Sequence, residues 1–223
     1  MLLGLVFTPV VAQAQPAGPG TLSHFGLARK DCVGTARNTT SKVWFTVADG
    51  VLSDVYAPTI DNTNVETLQF IVTDGRSFTD LQSRDMTYTV SADRTGMACT
   101  VTARNRNYRL TTDYITDPQR DSVLIRTHLD GPRDLKLYVR YDPNINGNGG
   151  GGPQNGGADN ATVDNDTTAL VSSDPNTVTS APNRDYGVPL AGALRADRPF
   201  RQANSGYVGT DSDGLVQLDR DHG

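Results

Sequence analysis

Apolar and polar side chains alternate with a period of two along much of the chain. Met86, Tyr88 and Val90 are interleaved with Thr87, Thr89 and Ser91. Met97, Cys99, Val101 and Ala103 are interleaved with Thr100 and Thr102, and Leu135, Leu137, Val139 and Tyr141 with Asp134, Lys136, Tyr138 and Arg140. A strand turns successive side chains to opposite faces, so each run predicts a strand with one face toward a core. The runs 43–47, 51–56, 68–73, 108–115, 123–129, 169–172 and 190–196 predict further strands. Asp49-Gly50, Asp74-Gly75, Asp117-Pro118, Asp130-Gly131-Pro132 and Asp142-Pro143 fall between them as turn signals. No window of ten residues holds a 3.6 period. Short strands at this spacing predict an all-β fold: an antiparallel meander folded into a two-sheet sandwich. Its inner faces are then Met86/Tyr88/Val90, Met97/Cys99/Val101 and Leu135/Leu137/Val139.

Composition points the same way. Of 25 acids only Glu66 is a glutamate, and of 20 strongly basic residues only Lys30, Lys42 and Lys136 are lysines. Glu and Lys favour helices and Asp does not, while 22 glycines and 12 prolines favour turns. The net charge of −5 argues against nucleic acid as a partner, because phosphate recognition calls for a basic excess. No run of about 18 apolar residues exists to span a membrane as a helix.

The ends carry their own signals. Residues 1–14 are apolar and uncharged and close on Ala12-Gln13-Ala14, the pattern of a secretory signal without its basic start. Residues 15–23 then form a flexible mature N-terminus, and 24–223 a β-sandwich domain whose last strands are incomplete. The protein is thus expected to be secreted or periplasmic. In such a compartment Cys32 and Cys99, the only two cysteines, can form one disulfide or stay as two buried thiols. The Gly/Asn-rich tract 146–157 cannot bury a core and reads as a long internal loop.

Catalytic motifs are missing. There is no Gly-x-Ser-x-Gly elbow, His-Glu-x-x-His pair or phosphate-binding glycine loop, and His24, His128 and His222 are scattered. Asp159, Asp164 and Asp166, or Asp211 and Asp213, have the chemistry to hold calcium but match no defined loop; solvated turn aspartates account for them better. No metal site or other cofactor is assigned. Trp44, Tyr56, Tyr186 and Tyr207 are candidates for stacking on sugar rings. Core packing suits Trp44 better, which leaves Tyr56 and Tyr207 as candidate substrate contacts.

The segment 41–58, reading SKVWFTVADGVLSDVYAP, resembles the opening of the N-terminal domain of prokaryotic glucoamylases and glucodextranases in glycoside hydrolase family 15. The blocks 68–75, 113–118, 137–143 and 205–210, together with the Gly/Asn tract after Tyr141-Asp142-Pro143, follow in the order of that family. Ala57 departs from it, standing where the family carries an aromatic. The resemblance implies a super-β-sandwich followed by a linker and an α/α catalytic barrel. It also implies inverting hydrolysis of α-glucans by one glutamic acid and one glutamate. Both would lie on the barrel, since this chain has only Glu66. No catalytic residue is therefore assigned, and the chain alone is expected to be inactive and prone to self-associate. Its implied partners are an α-glucan, met through the parent enzyme, and the catalytic domain of the same chain. Alternatives are a free-standing carbohydrate-binding sandwich and a mutarotase-like enzyme using His128 and Glu66.

Overall fold

The computed structural model describes residues 27–147, 160–175 and 190–203. The expected signal 1–14, the segment 15–23, residues 148–157 of the glycine tract, Tyr186, Tyr207, Asp159, Asp211 and Asp213 lie outside the described residues.

Thirteen strands and one helical turn occur among the described residues. In order they are β1 (Cys32–Thr35), β2 (Trp44–Ala48), β3 (Val51–Tyr56), β4 (Thr63–Thr73), β5 (Thr79–Leu81), α1 (Gln82–Asp85), β6 (Thr87–Ala92), β7 (Ala98–Arg104), β8 (Arg109–Thr116), β9 (Val123–Asp130), β10 (Lys136–Gly147), β11 (Asn160–Asp164), β12 (Ala169–Asp174) and β13 (Leu190–Leu194). They form a six-stranded sheet, β1-β2-β3-β4-β10 with β5 also on β4, and a four-stranded meander β6-β7-β8-β9. A three-stranded sheet, β11-β12-β13, stands beside β10. All pairings are antiparallel. Between β4 and β10 the chain builds the whole meander, then returns to lie against β4. No helix of the described residues is long and apolar enough to cross a membrane.

The period-two faces close on one core. Phe45, Val47, Leu52, Leu68, Phe70 and Val72 of the larger sheet meet Cys99, Val101, Ala103, Leu110 and Tyr114 of the meander. Burying each large side chain contributes roughly 1.5–3 kcal/mol. A disulfide joins Cys32 on β1 to Cys99 on β7, with Cα atoms 6.2 Å apart, and so ties one sheet to the other. Gln82 of α1 fills the gap along β4 between β3 and β5. Its Oε1 accepts from the Phe70 amide at 3.0 Å and its Nε2 donates to the Gly50 carbonyl at 2.8 Å.

The Asp49-Gly50 turn forms as expected, with φ of 49° and 74°, the double left-handed geometry of a two-residue hairpin. Asp142-Pro143 does not turn the chain. β10 runs straight through it, and the register against β4 shifts at that point instead. A proline without an N–H is tolerated at a bulge on an edge strand. Asn146 and Gly147, expected at the start of the loop, are the buried end of β10. The inner face expected at 135–139 also needs correction. Leu137 is 39% exposed and Leu135 and Val139 are only half-buried, because the first half of β10 is the margin of the sheet. β1, β5 and β11 carried no period strong enough to predict, whereas β12 and β13 form where strands were expected at 169–172 and 190–196.

Candidate functional site

Tyr56 ends β3 and stands directly opposite Trp44 of β2. Because Phe45 and Val47 point into the core, Trp44, Thr46, Asp54 and Tyr56 share the outward face of the larger sheet. Trp44 is half-buried there and is not part of the core cluster, contrary to the expectation of core packing. Tyr56 is also half-buried and precedes a cis bond between Ala57 and Pro58.

Beneath this aromatic pair lies a buried charge. The register skips Ser53 between Thr46 and Val47, and this bulge turns both Ser53 and Asp54 into one polar cluster. Asp54, 2% exposed, accepts from the Thr46 hydroxyl at 3.0 Å and the Ser53 hydroxyl at 3.3 Å, and it is ion-paired with Lys30. Burial, then the Asp54 carboxylate, pushes the Tyr56 phenol up to about 12. The hydroxyl is therefore a neutral donor at any ordinary pH, suited to hydrogen bonding and not to proton transfer.

A second polar cluster fills the end where β4 begins and β10 finishes. Asn62 donates through Nδ2 to Asn146 Oδ1 at 2.9 Å, and Asn144 donates through Nδ2 to Glu66 Oε2 at 2.9 Å. The Asn146 amide donates to Asn64 Oδ1 at 3.2 Å. A sequence signal existed for this cluster: Asn62-Thr63-Asn64 and Asn144-Ile145-Asn146 repeat the same residue at period two on neighbouring strands.

The structure does not build an acid–base pair from His128 and Glu66. His128 is on the exposed outer face of the meander, while Glu66 is 2% exposed in the other sheet. The Asp164 carboxylate accepts from the Asp166 amide and is hydrogen-bonded to the Thr167 hydroxyl, so it closes a turn. No group of three or more His, Cys, Asp or Glu with metal-holding geometry occurs among the described residues.

The comparisons with known proteins converge. The family model described as glucodextranase, domain N, matches residues 15–223. A glucoamylase of Clostridium sp. (strain G0005) is 41% identical over 139 residues, covering 59% of this chain and 20% of that protein. The crystal structure of a bacterial glucoamylase complexed with acarbose superposes with a TM-score of 0.62 at 32% identity. It covers 74% of this chain and 25% of the glucoamylase chain. The chain thus spans about a fifth of the length of the curated relative it matches. Sequence, sandwich and comparisons agree that the chain belongs to the glucodextranase domain N family, the N-terminal β-sandwich domain of glucoamylase-type enzymes.

Proposed function

We propose that this chain is the non-catalytic N-terminal domain of an exported, inverting exo-acting α-glucan hydrolase, packing against and supporting a catalytic barrel in the same polypeptide. The observation that carries this reading is the family match from residue 15 to 223, set beside a relative five times longer than the matched share. Inverting hydrolysis needs two carboxyl groups on opposite faces of a sugar, with room for a water between them. The single glutamate here is buried and bonded to Asn144, where no sugar reaches it. Export is supported by the apolar N-terminal residues and by the disulfide, a bond that persists in oxidising compartments.

The test compares this chain with the same chain extended through the downstream reading frame. The extended protein is expected to release β-glucose from maltooligosaccharides or dextran, read by NMR of the fresh product, and residues 1–223 alone to release none. Deleting the domain from the extended protein should lower the melting temperature of what remains. Glucose release by the short chain, or an unchanged melting temperature after deletion, overturns the proposal.

One observation favours a second reading, a sugar-binding module: Trp44 and Tyr56 stand side by side on an outward face. Calorimetric titration of the chain with maltooligosaccharides at millimolar concentration decides it, and flat heats remove it.

A further inference from the structure

We propose that the carboxamide cluster between β4 and β10 is a calcium site, with Asn62 Oδ1, Asn144 Oδ1 and the Glu66 carboxylate among its oxygen ligands. Asn62, Asn144 and Glu66 are 0%, 3% and 2% exposed. Asn62 Oδ1 and Asn144 Oδ1 are both buried without a hydrogen-bond partner. The orientation of each carboxamide is fixed by what its nitrogen does. Turning Asn144 over would set its oxygen against the Glu66 carboxylate, and turning Asn62 over would set two carboxamide oxygens face to face. Both oxygens therefore call for a hydrogen-bond donor or a cation that no protein group supplies. Buried polar atoms of native proteins meet water or an ion when no protein group serves them.

The chemistry of the donor set selects among ions. All the candidate ligands are oxygens, one of them a carboxylate, with no thiolate or imidazole to favour a transition metal. Calcium takes six to eight such oxygens in adaptable geometry, whereas magnesium demands a tight octahedron and keeps its waters. One carboxylate implies modest affinity, of the order found in extracellular modules. The backbone is shaped to hold the ligands. A Cβ on Gly147 would lie 2.7 Å from Asn144 Oδ1, so only glycine leaves room for that carboxamide. Asn146 takes a φ of 62°, which aims its amide at Asn64 and anchors the end of β10 to the start of β4.

The experiment uses the whole chain, stripped with a chelator and exchanged into metal-free buffer, and follows thermal unfolding by circular dichroism as calcium chloride is added. The melting temperature should rise saturably as one site fills, and magnesium chloride at equal concentration should raise it far less. Glu66→Gln keeps the shape and the acceptor for Asn144 but removes the charge. It should weaken the calcium response about ten-fold while leaving the metal-free melting temperature unchanged or higher. Asn144→Ala should abolish the response. If Asn144→Ala does not fold, Glu66→Gln decides alone. A melting temperature indifferent to millimolar calcium means that buried water satisfies these oxygens. A Glu66→Gln variant that responds like the parent places any calcium elsewhere. Either result overturns the proposal.

Discussion

Gly34 lies opposite Phe45 in the β1–β2 ladder, and a Cβ added there would fall 2.3 Å from the Phe45 Cζ. The aromatic ring occupies the space a side chain would take, so the glycine is what lets Phe45 lie across β1 into the core. Gly34→Ala should force the ring aside and cost about 1–3 kcal/mol, read as a lower urea midpoint with an unchanged slope. A midpoint equal to the parent's would mean that the ring repacks freely. Tyr56 gives a second test at this scale. Its phenol titrates at about 12 in the fold, against about 10 in an unfolded chain. A raised phenol favours the folded state while it stays protonated. That contribution is complete below pH of about 10 and is lost as pH climbs toward 12. The ultraviolet phenolate titration of the parent minus that of Tyr56→Phe should show this late-ionising group. A difference curve centred near 10 would mean that neither burial nor the Asp54 carboxylate raises this phenol. Single residues were also where period-two reading failed. Leu137 alternates correctly but sits at an open margin, and Trp44 looks like core yet takes the outward parity of its strand. Alternation assigns residues to two faces, and only the packing of one sheet on another decides which face is covered.

At the scale of elements, the clean-period strands β6 and β7 were legible within a residue or two while β10 ran six residues past its expected end, and the turn dipeptides separated by their backbone chemistry. Asp49-Gly50 supplies two left-handed residues, as a two-residue hairpin requires. Asp142-Pro143 supplies only a fixed φ and a missing donor, which an edge strand absorbs as a register shift. β1 was invisible because four residues around a glycine show no period, yet it carries the covalent tie between sheets. The Cys32–Cys99 bond closes a segment with a sequence separation of 67. Closing a loop of that length restrains the unfolded chain by about 4 kcal/mol in the chain-entropy estimate. The double variant Cys32→Ala/Cys99→Ala should therefore lose a substantial part, roughly a quarter to four-fifths, of a typical domain's reserve of about 5–15 kcal/mol. Its far-ultraviolet spectrum at low temperature should stay strand-like, with the urea midpoint well below that of the oxidised parent. Equal midpoints for the two proteins would show that the sheets hold each other by packing alone.

Over the whole molecule, the fold class and family were legible because they are spread over many strands and five ordered blocks. The candidate sites were not, because one depends on a bulge within a hairpin and the other forms where distant strands meet. Asp54 is sequestered by a bulge, and the asparagines of β4 and β10 face each other only after the meander has been completed between them. The 24 aspartates, read from composition as turn formers, have a further collective consequence. Six of them are held below the usual carboxylate range: Asp74 by the Ser77 hydroxyl, Asp85 by Arg84, Asp93 by the Thr95 hydroxyl, Asp113 by the Thr100 hydroxyl and then Arg126, Asp117 by the Gln119 amide, and Asp164 by the Thr167 hydroxyl. Unfolded aspartate titrates at about 3.9, so at pH below about 4 the unfolded chain takes up protons that the folded chain still refuses. The stabilisation is complete above about pH 5 and falls away as acid reaches the lowered folded values. Asp85 and Asp93 are exposed, Asp74, Asp113 and Asp164 half-buried and Asp117 buried; each is individually weak, but the six serve strands or turns of all three sheets. Acid should therefore loosen the sandwich as one unit and not at one corner. Urea midpoints are expected to be flat from about pH 7 to 5 and to drop steeply below about 4. Thr95→Val, which removes the hydroxyl that holds Asp93, should make that drop shallower by lowering the neutral midpoint while changing the acid midpoint little. A midpoint as high at about pH 3 as at neutrality would mean that these hydrogen bonds form equally in the unfolded chain, and the aspartates would then be turn formers only.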